Sequence, residues 1–157
     1  MKKKVFIKCQ KGASAVEFAI VLPLLLLFVF GIIEFGILFY DKAIITNASR
    51  EGARTAILHD TESNGDPRTV TAAEVQAVVF SYCSSYLINF SGATTPTVTT
   101  SPLLGTPPNE YRTVTVTFGY NFLVLPNILG AFFGGSLSGP IPLTAVTRMR
   151  SEWQGGT

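Results

Sequence analysis

The feature that most restricts what this 157-residue chain can fold into is one apolar run: Phe18 to Ile33 is uncharged, and Glu17 and Glu34 are the only ionisable side chains from Val16 to Phe39. A hydrocarbon core about 30 Å thick takes roughly 20 helical residues, so the stretch 16–40 is long enough to cross a membrane. The remaining length suits one ordinary domain and not two. Lys2, Lys3, Lys4, Lys8 and Lys11 crowd the N-terminal side of the run, whereas Asp41 and Lys42 nearly cancel beyond it. The positive-inside rule then places the N-terminus in the cytoplasm and everything after Tyr40 on the other side.

Those five lysines also account for the formal charge of +2, because without them seven basic residues face ten acidic ones, a net −3. A mildly acidic remainder offers no electrostatic case for a nucleic-acid partner, which normally calls for a basic stripe on the folded part, so none is expected. Cys9 and Cys83 fall on opposite sides of the apolar run, so no disulfide is expected between them. His59 is the only histidine, which argues against a metal site, and no cofactor is expected. Catalysis finds no support either, since the sequence has no phosphate-binding loop, no nucleophile with a plausible base and no paired carboxylates.

A cleavable secretory signal would share the basic and apolar regions but would need a small-x-small box after the apolar run. The segment following Phe30 is Gly31-Ile32-Ile33-Glu34-Phe35-Gly36, and the small-residue cluster Ala13-Ser14-Ala15 comes before the run instead. An uncut anchor carrying a periplasmic binding or adaptor module is the competing reading.

Lys11-Gly12-Ala13-Ser14-Ala15-Val16-Glu17-Phe18 resembles the processing site of type IV pilin-like precursors. The resemblance implies that a prepilin peptidase cuts between Gly12 and Ala13 and that Glu17 becomes the fifth mature residue. An acidic side chain near a hydrocarbon core costs on the order of 2.5 to 3.5 kcal/mol at mid-membrane and less near the interface, so Glu17 calls for a partner. In the pilin family that partner is the freed amine of a neighbouring subunit, which sets the register between protomers. A carboxylate snorkelling to the headgroups at a helix start is the other account of Glu17. Phe18 stands where major Flp-type pilins have tyrosine, which suits a minor pilin.

Pro23, Ile33-Glu34-Phe35-Gly36 and Asn47-Ala48-Ser49-Arg50-Glu51-Gly52-Ala53-Arg54 together resemble the TadE-like family, pseudopilins of the tight-adherence (Tad/Flp) pilus. Arg148-Met149-Arg150-Ser151-Glu152 is similar to that family's C-terminal strand. The resemblance is strong over 12–56 and only architectural beyond. It implies a bacterial inner-membrane protein with its C-terminal domain in the periplasm or in an extracellular pilus. Its partners would be a prepilin peptidase, other pilins and the inner-membrane assembly platform.

The expected organisation is a leader over 1–12, a helix over 13–58 with 16–40 in the membrane, and a globular part over 59–157. At 1.5 Å per residue the helix would measure roughly 69 Å, so less than half lies in a bilayer. Its outer part is amphipathic: Asn47, Arg50, Glu51 and Arg54 share one face, while Ile45, Ala48, Gly52 and Ala56 recur every third or fourth position on another. Gly52 permits close backbone approach, so the sheet is expected against that small-residue face, filled by Val114, Val116 and Phe118. Arg50 and Arg54 suit a solvated charged face as well as a partner-binding one.

Asn64-Gly65-Asp66-Pro67 signals a turn, and Thr71-Ala72-Ala73-Glu74 fits a capping box opening a second helix. Its apolar stripe is Val75, Val78, Val79, Tyr82, Cys83, Tyr86 and Leu87, in which Cys83 reads as a buried small hydrophobe. Arg112 to Phe122 alternates apolar and polar residues as a strand, with a second strand from Leu143 to Met149 or Arg150 and a third near Val98. The connector 123–137, with Leu125, Ile128, Leu129, Phe132 and Phe133, is too apolar for a solvated loop. Core packing is its simplest account; a patch meeting a pilin subunit or the membrane is the other. The expected fold is α+β and pilin-like: a long N-terminal transmembrane helix packed on a small antiparallel sheet, with one further helix.

Overall fold

The computed structural model describes residues 10–61, 67–90, 95–105, 109–134 and 139–151. Lys2, Lys3, Lys4, Lys8, Cys9, the Asn64-Gly65-Asp66 turn and Glu152 lie outside them. Helix α1 runs unbroken over Gln10–Ala56, 47 residues with Pro23 inside. It begins before the expected Ala13 and ends two residues short of Leu58. A pair of short strands, β1 (His59–Thr61) and β2 (Pro67–Thr69), forms an antiparallel ladder across the turn segment.

Helix α2 (Ala72–Tyr86) starts at Thr71, whose hydroxyl accepts from Glu74 N–H at 3.3 Å while the Glu74 carboxylate accepts from Thr71 N–H at 2.8 Å. This reciprocal pairing satisfies two of the donors that a helix start leaves open. The buried stripe of α2 is narrower than its sequence suggests: Val75, Val79 and Cys83 are buried, whereas Tyr86 is exposed.

The main sheet has the order β3 (Thr97–Thr100), β4 (Tyr111–Tyr120), β5 (Ile141–Arg150), antiparallel throughout. Val98 and Ala145 flank Val116, and Leu143 lies opposite Phe118, which puts the apolar members of all three strands on one face. β5 starts two residues before the expected Leu143, with Pro142 opposite Gly119. An edge strand tolerates that proline because the missing N–H costs no central ladder bond.

The helices α1 and α2 cover the apolar face of the sheet. Val114, Val116, Phe118 and Tyr120 from β4 meet Ile45, Ala48, Ala53 and Ala56 of α1 and Val75, Val79 and Cys83 of α2 in one core. β4 runs antiparallel to α1, from Arg112, which donates to Ala56 O at 3.1 Å and Val70 O at 2.6 Å, to Tyr120, which donates to Glu34 O at 3.2 Å. β5 follows α1 in parallel: the Lys42 ammonium donates to Thr144 O, and the hydroxyls of Ser49 and Thr147 share a hydrogen bond of 2.6 Å.

One element departs from expectation. The apolar connector contains a further helix, α3 (Leu125–Phe133), which opens with Pro126 in its first turn and closes on Gly134 in the left-handed region at φ 63°. Proline at a helix start and glycine just past its end are favourable stop and start residues. The described side chains of 123–130 are half-buried or exposed, so α3 lies beside the core and not within it. Among the described residues the fold is therefore α+β with two helices besides α1.

Candidate functional site

Along α1 the exposure of side chains changes at one point. From Gly12 to Ile33 every residue is exposed or half-buried, Glu34 is the first buried one, and no residue of the most apolar stretch is buried in the described part of the protein. Gly12, Ala13, Glu17 and Phe18 all lie exposed on this bare helix, Phe18 at 61 %.

Glu34 is only 4 % exposed although it follows sixteen uncharged residues. Its carboxylate accepts from the backbone N–H groups of Leu123 (2.9 Å), Val124 and Leu125 (3.2 Å). Val124, the residue at the N-cap of α3, supplies no side-chain bond of its own. A side chain of α1 thus takes the capping role from a distance, matching negative charge to the positive end of α3. Phe35 and Tyr120 each set an aromatic ring edge-on to Phe122, at 5.6 and 5.3 Å, which packs the end of β4 beside this cap. Burial, followed by the negative charges of Glu34 and Asp41, pushes the Tyr120 phenol up and keeps it a donor.

Asp41, two turns further, is fully buried. Its Oδ1 accepts from Ile88 N–H at 3.0 Å, just past the end of α2, while Oδ2 has no hydrogen-bond partner. Burial raises the pKa, and the Ile88 N–H opposes the rise in part. The ionised carboxylate is therefore less at home in the folded chain than in the unfolded one. Stability should rise as pH falls through the raised folded value and level off below the ordinary carboxylate value near 3.8. Asp41→Asn should melt higher at pH 7 and lose this slope, as thermal unfolding across pH 4–8 would reveal; a parental slope would assign the pH dependence to another group.

At the outer end of α1 the two expected faces separate. Ile45, Ala48, Gly52 and Ala56 are buried, whereas Asn47, Arg50, Glu51 and Arg54 are exposed. Arg50 approaches Asn47 Oδ1 at 3.5 Å and Arg54 approaches Glu51 at 4.0 Å, both across solvent-exposed side chains. Such a pair contributes little to stability, about 0 to 1 kcal/mol. The small-residue face meets α2 more closely than the sheet: a Cβ placed on Gly52 would lie 2.6 Å from Val79 Cγ2, against 3.4 Å from Val114 Cγ1. Cys83 is 1 % exposed and burial pushes its thiol up to about 11, so it remains a protonated, packed thiol at neutral pH. Among the described residues no group of three or more His, Cys, Asp or Glu is placed to hold a metal.

A bare helix long and apolar enough to cross a membrane, continuing into an α+β domain whose sheet is laid along its outer half, is a pilin-like arrangement. Residues 12–54 match the model of the family described as TadE-like protein, so this segment is similar to the corresponding part of that family. No curated protein and no solved structure matches the chain. The matched segment contains Gly12, Ala13, Glu17, Phe18, Ala48, Arg50, Gly52 and Arg54, together with Glu34 and Asp41.

Proposed function

We propose that this chain is a minor pilin or pseudopilin, cut by a prepilin peptidase between Gly12 and Ala13 and then drawn into a Tad/Flp-type adhesive pilus or its periplasmic base. The observation that carries the reading is the bare stretch of α1: within the TadE-like match, none of its apolar side chains is buried in the described part of the subunit, and Glu17 sits exposed among them. An apolar helix with no partner in its own chain suits lipid before assembly and other pilin helices after it. The basic leader keeps the N-terminus in the cytoplasm, and the folded part lies in the periplasm of a single-pass inner-membrane protein. Removal of the leader leaves an α-amine at Ala13. Pairing of that charge with Glu17 of a neighbouring subunit neutralises both within an apolar bundle. Arg50 and Arg54, exposed on the outer helix, remain available to other pilins or the assembly platform. No enzymatic step is part of this role.

The test is the mass of the mature chain from peptidase-competent cells. It should begin at Ala13, and Gly12→Leu should retain the leader. Glu17→Ala should insert into the membrane as well as the parent but lose co-purification with other pilins by roughly tenfold, the effect of removing an interaction of about 1.4 kcal/mol. A leader still attached to the parent chain would favour the uncut adaptor, and normal assembly of Glu17→Ala would favour a snorkelling carboxylate.

A further inference from the structure

We infer that α3 is a second membrane contact, a short helix seated in the headgroup layer beside the point where α1 leaves the hydrocarbon. The occupant of its outer surface is the lipid of the bilayer that α1 already crosses. Residues 13–33 of α1 span about 30 Å at 1.5 Å per residue, the thickness of a hydrocarbon core, which puts Glu34 at its edge. Taking Tyr40 as the limit would put Glu34 deeper still. Since the Glu34 carboxylate holds the N–H groups of Leu123, Val124 and Leu125, the start of α3 is fixed at that same depth.

The chemistry of the start of α3 suits such a place. Backbone donors at a lipid boundary must be satisfied within the protein, and the carboxylate satisfies three at the very end where a helix leaves its donors open. Asn127 is the only polar side chain from Leu125 to Phe133, and its amide is turned back to Leu123 O at 3.1 Å. A solvated helix of a globular domain would carry charges on its outer face, and α3 has none.

The two ends of the folded part differ in the same sense. Near Glu34 the exposed apolar side chains gather, Leu123 at 52 % and Ile141 at 43 % exposed, with Phe39 and Tyr40 on the adjoining turns of α1. At the opposite end of the sheet stand Arg148, with its guanidinium 3.3 Å above the Tyr111 ring, and Arg150. An apolar end continuous with a membrane helix and a charged end remote from it, where Glu110 joins the two arginines, orient the domain against the bilayer. Interfacial helices sink about 5–10 Å into the boundary between headgroups and acyl chains, a depth within reach of Leu123.

Tryptophan quenching in vesicles tests this with the full-length chain. Trp153 is the only tryptophan, so Trp153→Phe supplies a silent background in phosphatidylcholine and phosphatidylglycerol vesicles carrying acyl-chain bromine. In that background Leu123→Trp should be quenched at least about twofold more than Val146→Trp, an exposed position in mid-sheet, and should approach Ile20→Trp on the bare helix. Ile141→Trp, at the same end of the sheet as Leu123, should follow it, which guards against a local disturbance by either substitution. Quenching of Leu123→Trp and Ile141→Trp no greater than that of Val146→Trp overturns the proposal. So does quenching that vanishes when the protein is diluted in excess lipid, because the face would then be meeting a second copy. Absence of quenching at Ile20→Trp would overturn it together with the membrane anchor. None of these outcomes depends on cleavage at Gly12, so the pilin assignment is tested apart.

Discussion

Glu34→Ala should destabilise the folded part by about 3 kcal/mol, because three N–H groups lose their acceptor and each orphaned donor costs about 1–3 kcal/mol, nearer the lower end where water can reach it. All three belong to residues 123–125, so the loss should fall first on α3. Limited proteolysis of the full chain in detergent should therefore cut between Leu123 and Pro140 well before the core of β4 and β5 opens. Glu34→Gln should be intermediate. It keeps Oε1, which accepts from Leu123 and Val124, but places an amide where the bond to Leu125 or its equivalent must be re-formed without charge. Equal unfolding and equal proteolysis of Glu34→Ala and the parent would mean that the cap contributes nothing and that α3 is held by its apolar contacts alone.

The roles of Glu34 and Asp41 were not legible in the sequence, and the reason is separation along the chain. Glu34 reads locally as an acidic residue near the end of an apolar run and as part of Ile33-Glu34-Phe35-Gly36. Its partners lie some ninety residues away, at a helix start that the sequence marks only with Pro126. Asp41 reads as half of a cancelling pair with Lys42. In the fold the two side chains diverge, Asp41 to Ile88 N–H and Lys42 to Thr144 O.

Features with a local cause were legible: the 3.6-residue spacing of Ile45, Ala48, Gly52 and Ala56, the period of two along β4, and the capping box at Thr71 and Glu74. Each depends on residues within one turn or one pleat. α3 is the intermediate case. Its proline and glycines look like interruptions until they are assigned to the two ends of one helix, after which the apolar residues between them form a single continuous element. A carboxylate near the end of a membrane run, combined with a second apolar run that begins at a proline, is the signal that would have linked the two.

The second large effect concerns Gly52, where α1 and α2 cross. With no side chain there, Val79 comes so close that even a Cβ would meet its Cγ2 at 2.6 Å, a contact that something must yield to relieve. Val79 and Val75 are fully buried on α2, and Val114 is fully buried on β4, so none has free space to move into. Gly52→Ala gains helix propensity of about 1 kcal/mol, which opposes the cost of this contact and leaves a modest net loss. Gly52→Leu adds three more carbons with nowhere to go. Overpacking of this kind typically costs about 1–3 kcal/mol, and the position between two layers puts Gly52→Leu at the upper end. Arg54→Ala, on the exposed face with only a 4.0 Å approach to Glu51, should change stability by less than about 0.5 kcal/mol. Thermal unfolding of the full chain in detergent separates the two, with pilus formation scored in parallel. Loss of pili in Arg54→Ala without loss of stability would mark the charged face as a partner surface, and loss in Gly52→Leu with lowered melting would mark the small-residue face as structural. If Gly52→Leu melted with the parent, α2 would be free to lift from α1, and the close crossing would not be what holds the two helices together.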